Sequence, residues 1–150
     1  MGLIVNKPVP DVSLHDLLDQ MSICKTDLRA DQTVHFGGPV EPGRGFVLHT
    51  PDYHSGLSSL AVTEAFSMTS TVDILEDVGQ GNGPSKAIYA LGYAGWGAGQ
   101  LEGEIASNGW LTVQAEPELI FDTGDCQKWR QGLTMLGIDP AILSSTGGSA

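Results

Sequence analysis

Positive charge is what this 150-residue chain has least of: seven Lys and Arg stand against 18 Asp and Glu, a formal net charge of −11. The seven are Lys7, Lys25, Arg29, Arg44, Lys86, Lys128 and Arg130, and only Lys128 and Arg130 lie close together. A duplex binder must neutralise several phosphates at once, so direct, unaided nucleic-acid binding and adhesion to anionic membranes are not expected. Net negative charge serves solubility instead. Cysteine is scarcer still. Cys24 and Cys126 stand far apart with no CxxC and no histidine at a metal-site spacing, which predicts buried or incidental thiols in a reducing compartment. No apolar run approaches the ~18 residues of a membrane span. Met1 leads straight into "GLIVNKP" with no basic n-region, so no signal peptide is expected. These absences together predict a soluble cytoplasmic protein.

Two catalytic signatures are also missing. There is no G-x-S-x-G nucleophile elbow and no glycine loop followed by G-K-[ST]. Neither cysteine sits in a recognisable nucleophile setting.

What is present suits one compact domain. The chain is 41% hydrophobic with 20 glycines, and a domain of this length buries roughly two-thirds of its unfolded surface, enough to fold without disulfides. "GLIVN", Gly2 to Asn6, has the length of a strand stopped by Lys7 and Pro8. "SLHDLLDQM" places Leu14, Leu17, Leu18 and Met21 at helical spacing, with Ser13 as N-cap and Asp16 three residues on, a variant of the capping box. "TVHF" and "GFVLHT" read as strands around a loop, "GGPVEPGRG", that presents Arg44. Alternation from Ser59 to Thr69 predicts a hairpin. A helix follows, capped by Ser70 or Thr71 and stopped at Gly79.

"KAIYALGY" is a further strand, and "GQLEGEIASNGW" a helix closed by Asn108 and Gly109. "WLTVQA" reads as a strand, "PELIFD" as a shorter apolar run, and "GDCQKWRQGLTMLG" as the last long helix, with Trp129, Leu133 and Leu136 on one face. Pro140 opens a short turn in "DPAILSS". Residues 144–150 form a flexible tail behind a single domain over 1–143. The mixture predicts an α+β fold with hairpins, mixed and coiled sheets, and three to four short helices.

The most unusual stretch is "ALGYAGWGAGQLEGEI", Ala90 to Ile105, a glycine loop between a strand and a helix. That topology suits an anion site. The spacing does not: Gly95, Gly97 and Gly99 give G-x-G-x-G, and Gln100 stands where a dinucleotide loop needs its third glycine. Glu102 and Glu104 would repel a phosphate, and no Lys or Arg lies between Ala87 and Gln127. A tight turn that packs Trp96 against another loop is the better reading. "HTPDYH" offers His49, Asp52 and His54, short of three convergent metal ligands. His49 is expected in a satisfied hydrogen bond. Neither a metal nor a cofactor is implied.

"GYAGWGAGQLEGEI" with the following "NGWL" resembles the signature of the AlgH/YqgE family of bacterial proteins. "GLIVNKP" (Gly2 to Pro8), "FGGPV" (Phe36 to Val40) and "GFVLH" (Gly45 to His49) stand in the family's order at similar intervals, so the resemblance covers nearly the whole chain. It implies a single cytoplasmic α+β domain with no agreed activity, in a family named for a proposed role in transcriptional regulation of alginate synthesis. The family's members usually carry further chain before "GLIVNKP", including a strand that pairs within the sheet. The sequence here begins inside that motif; either the start is misassigned or trimmed, or the fold tolerates the loss. An edge left without that strand invites self-association.

Three functions are compatible with these residues. The first, carried forward here, is a binding or regulatory module acting through a protein or small-molecule partner. In it the "FGGPV" and "GYAGWGAGQ" loops meet, Gly37, Gly38 and Pro39 lie beside Tyr93 and Trp96 as aromatic anchors, and Arg44, His49, Gln100 and Glu102 supply polar contacts. The second is an enzyme of unknown class using His49 with Glu102 or Glu104 in a pocket between those loops. The third is purely architectural, the motifs specifying a difficult turn and core.

Overall fold

The computed structural model describes residues 1–28, 31–56 and 59–143; the tail expected at 144–150 lies outside them. Its sheet is mixed and six-stranded. In chain order the elements are β1 (Pro8–Ser13), α1 (Leu14–Gln20), β2 (Thr33–Phe36), β3 (Val40–His49), β4 (Ser59–Ala61), β5 (Ser67–Thr69), α2 (Asp73–Gly79), β6 (Ala87–Tyr93), α3 (Gln100–Ala106), a π-helical turn (Glu118–Asp122), α4 (Asp125–Met135) and a 3-10 turn (Pro140–Ile142). The spatial order is β1-β2-β6-β3-β5-β4. Only β2 and β6 run parallel; every other neighbouring pair is antiparallel. This is the α+β arrangement that the alternation of hairpin and helix signals predicts.

β6 lies between β2 and β3, and its "IYA" triplet is buried. Alternation along the strands divides the sheet into two faces. Val34, Val47 and Tyr89 point to one, where Leu14 and Leu18 of α1 and Ile74, Leu75 and Val78 of α2 close a single apolar core. Leu14, Leu18, Val34 and Ile74 have no exposed surface, and each such side chain contributes about 1.5–3 kcal/mol by leaving water. His35, adjacent to Val34, faces the other way and meets Asp125 at the start of α4.

Several local signals hold. Ser13 Oγ accepts the Asp16 N–H while an Asp16 carboxylate oxygen accepts the Ser13 N–H, a complete capping box. β4 and β5 form the hairpin, Leu60 opposite Met68. Helix α3 ends in a Schellman motif, with Asn108 left-handed (φ +57°), its N–H on the Ile105 carbonyl and the Gly109 N–H on that of Glu104. Asp139 caps the turn at Pro140 by accepting the Ala141 N–H.

Others are displaced. Gly2 to Asn6 does not form a strand: Gly2 makes one antiparallel bridge, to Ala94, and pairing begins only at Pro8. Pro8 and Pro10 are admissible there because β1 is a sheet edge, where a missing N–H needs no partner. β3 starts five residues early, taking in part of the expected loop around a bulge in which Glu41 has φ +48°. α2 has no side-chain cap. The chain is already helical at Val72 (φ −66°, ψ −28°), whereas a hydroxyl cap at Ser70 or Thr71 requires an extended residue directly before the helix. "WLTVQA" pairs with no described strand and runs exposed, so its β-propensity is unused. Both cysteines are exposed rather than buried.

Candidate functional site

The two glycine-rich loops meet, as their composition suggests, through backbone. Gly37 donates its N–H to the Leu91 carbonyl and accepts from the Ile4 N–H. A Cβ at Gly37 would run into the Gly92 carbonyl, and one at Gly38 into the Tyr93 peptide, so these glycines permit an approach no other residue allows. Both are buried and Pro39 is exposed. Val40 pairs with Tyr93, whose ring stands edge-on to Phe46 at 5.6 Å. Arg44 lies over the other side of that contact, its guanidinium carbon 5.2 Å from the Phe46 ring centre and its Nη1 3.1 Å from Glu41.

Beyond β6, the loop delivers Trp96 not to "FGGPV" but onto Gly2, 3.1 Å from the position a Cβ would take there. The indole N–H donates to Glu104. The same carboxylate oxygen accepts the indole N–H of Trp110 at 2.7 Å, and its other oxygen accepts the Gln100 amide at 2.9 Å. Gln100 in turn takes the Gly97 N–H, closing the glycine loop on itself. Donation from Trp110, then from Gln100, with a smaller share from Trp96, holds the Glu104 carboxyl below its ordinary value despite some desolvation. Glu102 points outward, exposed and without a bond to any described residue. The Glu104 and Gln100 side chains are thus spent on two indoles, on each other and on the loop backbone.

The two tryptophans stack edge to face at 5.9 Å. Trp110 then opens a shallow groove of about 440 Å³, lined by Val5, Leu111, Val113, Leu119 and, on α4, Trp129, Leu133 and Leu136. Trp110 is 49% and Trp129 57% exposed. The three α4 residues share a face, as their spacing predicts, yet only Leu133 is buried. Sequence reasoning passed over Trp110. The Asn108-Gly109 cap reverses the chain and folds Trp110 back onto α3, a consequence of the αL cap that "NGW" could have suggested.

Under the groove lies a polar brace. Lys128, 8% exposed, donates to Asp125 and to the Val5 carbonyl, both at 2.8 Å, and Asp125 also accepts from His35 Nε2 at 3.1 Å. Burial raises the Asp125 carboxyl, but these hydrogen bonds outweigh it and hold the group below the usual carboxylate range. His35 Nδ1 is buried without a partner among the described residues. The brace ties α4, β2 and the N-terminal segment together. Nothing in local spacing announces it, since its partners are 90 and 123 residues apart.

His49 belongs to neither cluster. It is fully buried at the far end of β3, its Nδ1 donating to the Thr50 carbonyl at 2.8 Å. Nε2 therefore accepts from Thr69 Oγ1 at 3.0 Å, and Thr69 from Ser59. Burial pushes the ring's pKa down, in part offset by the Thr50 bond. His49 pairs with Ala87, and Val40 with Tyr93, so six residue steps of β6, about 20 Å, separate His49 from the loop that carries Trp96. His49 and Glu104 cannot share a substrate. Asp52 bonds to Thr50 and to the Ser85 N–H, and His54 is exposed; among the described residues no three His, Cys, Asp or Glu converge as metal ligands. No helix among them is long and apolar enough to cross a membrane.

Comparison with known proteins agrees with this architecture. The model of the AlgH-like family (DUF179) matches residues 1–141. A UPF0301 protein of Cereibacter sphaeroides is 53% identical over 150 residues, covering all of this chain and 82% of that protein. One of Ruegeria pomeroyi is 52% identical over 151 residues with the same coverage. The solution structure of the AlgH protein from Pseudomonas aeruginosa superposes with a TM-score of 0.75 at 36% identity, covering 100% of this chain and 79% of that one. Motif order, sheet architecture and near-complete coverage thus coincide, and the chain belongs to the AlgH-like family.

Proposed function

We propose that this protein is a non-enzymatic binding module of the bacterial cytoplasm, acting through a protein or small-molecule partner. One observation carries the reading: two tryptophans, each about half exposed, flank one apolar groove beside a helix whose Glu104 carboxylate already holds the Trp110 indole. Contiguous exposed apolar surface of this kind marks interaction sites, and tryptophan gives large contact area at low entropic cost. Any part in transcriptional regulation would run through such a partner, because a net charge of −11 disfavours direct contact with DNA. The alternative enzyme, built on His49 with Glu102 or Glu104, draws no support from groups that face apart or are locked in structural bonds.

The test is amide chemical-shift mapping of the labelled chain against nucleotides, divalent metals, short DNA duplexes and fractions of bacterial cytoplasmic extract. Shifts confined to Trp110 to Val113 and Trp129 to Leu136 on adding one fraction support the module. Shifts with DNA alone, or none at that face with any addition, contradict it.

A further inference from the structure

One wall of the tryptophan groove carries more than apolar side chains. Residues 110–115, "WLTVQA", belong to no helix or strand, and neither an N–H nor a C=O among them meets a backbone hydrogen-bond partner in the described residues. A continuous row of donors and acceptors thus stands open. All of these residues are exposed, Val113 lies over Gly132 of α4, and Trp110, Leu111 and Val113 line the groove itself. Val5 lines it too; its carbonyl takes Lys128, and its N–H has no backbone partner among the described residues.

An open backbone row selects its occupant. A helix spends its hydrogen bonds within itself and would leave residues 110–115 as they are, whereas an added strand pairs them while alternate side chains enter the groove. Trp110, Thr112 and Val113 are strand-forming types with no described strand to pair with. Charge narrows the choice further. No charged residue stands between Glu104 and Glu116, and beyond that neutral stretch Glu102, Glu116 and Glu118 are exposed. Lys128 is the one cation among the described lining residues, and Asp125 holds it; Arg130 follows Trp129 on α4 but does not line the groove. A neutral edge with acidic ends fits an apolar strand with basic ends. A second copy of the chain would instead bring acidic ends against acidic ends, with a formal charge of −11 on each copy.

We propose that the groove takes an extended peptide segment of another protein, added as a strand along residues 110–115, with apolar side chains between Trp110 and Trp129 and Lys or Arg at its ends. This rests on the binding-module reading and names the partner of that same site. The main chain supplies affinity along the edge; the tryptophans and the glutamates supply selectivity.

The experiment titrates the labelled full chain with the blocked synthetic peptide "KKVTVTVKK" and two twins. "EEVTVTVEE" reverses the end charges, and "KKVPPTVKK" carries adjacent prolines that remove a donor from whichever edge pairs. Expected are saturable shifts at residues 110–115 and Trp129, exchange slowed about tenfold at every second amide of 110–115, and binding about tenfold weaker for either twin. Glu116→Gln with Glu118→Gln, both exposed, should weaken the cationic peptide about three- to fivefold without disturbing the fold. The proposal is overturned if either twin binds as well as the first peptide, or if groove side chains respond while no amide of 110–115 is protected. Dimerisation of the free chain through those amides would overturn it in favour of a second copy. Failure of every peptide, with a cytoplasmic fraction still shifting Trp110 and Trp129, removes this inference alone; silence to both removes the module reading as well.

Discussion

The two faces of the sheet are stabilised by different means. On one, α1 and α2 bury Leu14, Leu18 and Ile74 completely against Val34, Val47 and Tyr89. On the other, α4 is held by the Lys128–Asp125–His35 brace and leaves Trp129 half exposed. Apolar packing is non-directional and wants every gap filled; a polar brace fixes position without covering surface. A face anchored by a few hydrogen bonds can stay open for contact. That is the physical sense in which one side of this molecule supports and the other presents.

The comparison can be broken from its strong side first. Leu18→Ala removes three carbons from a fully buried position and should cost about 3–5 kcal/mol in a denaturant titration. A loss under about 1 kcal/mol would mean the α1 face is not the stabilising one. Next, Asp125→Ala strands the buried Lys128 ammonium and the His35 ring together, and should cost about 2–3 kcal/mol, discounted from the fully buried range because Asp125 itself is partly exposed. Amide exchange should speed up across α4 and Val5 while α1 stays protected; uniform loss across both faces would dissolve the distinction.

A smaller effect comes from His49. Burial makes the folded ring bind protons less readily than the unfolded one, whose value lies near 6.5. The stability it confers is complete above that pH and falls away as pH drops toward the lower folded value. His49→Gln should flatten this slope below about pH 6.5. An unchanged slope would mean the ring is free to protonate in the folded state.

Much of the fold is written locally. Ser13 with Asp16, the hairpin around Thr63, the Asn108-Gly109 stop and Pro140 each declare themselves within a few residues, because caps and turns depend on neighbouring backbone. "WLTVQA" misleads for the converse reason: strand propensity is realised only beside a partner, and no described strand lies alongside it. The meeting of "FGGPV" with "GYAGWGAGQ" is legible from their glycines, which allow backbones to touch. The Trp96–Glu104–Trp110 cluster is half legible, since Glu104 lies on the predicted helix while Trp110 reaches it only through the reversal at Asn108. The His35–Asp125–Lys128 brace depends on contacts across most of the chain, which spacing cannot report.

The most direct test of the central claim is a double variant, Trp110→Ala with Trp129→Ala, measured for stability and for chemical-shift response to the cytoplasmic fraction that perturbs the parent chain. Both side chains are half exposed, so the account predicts a stability change within about 1 kcal/mol together with loss of the response. A variant that unfolds would show the tryptophans to be architecture, and one that keeps the full response would show that the partner binds elsewhere.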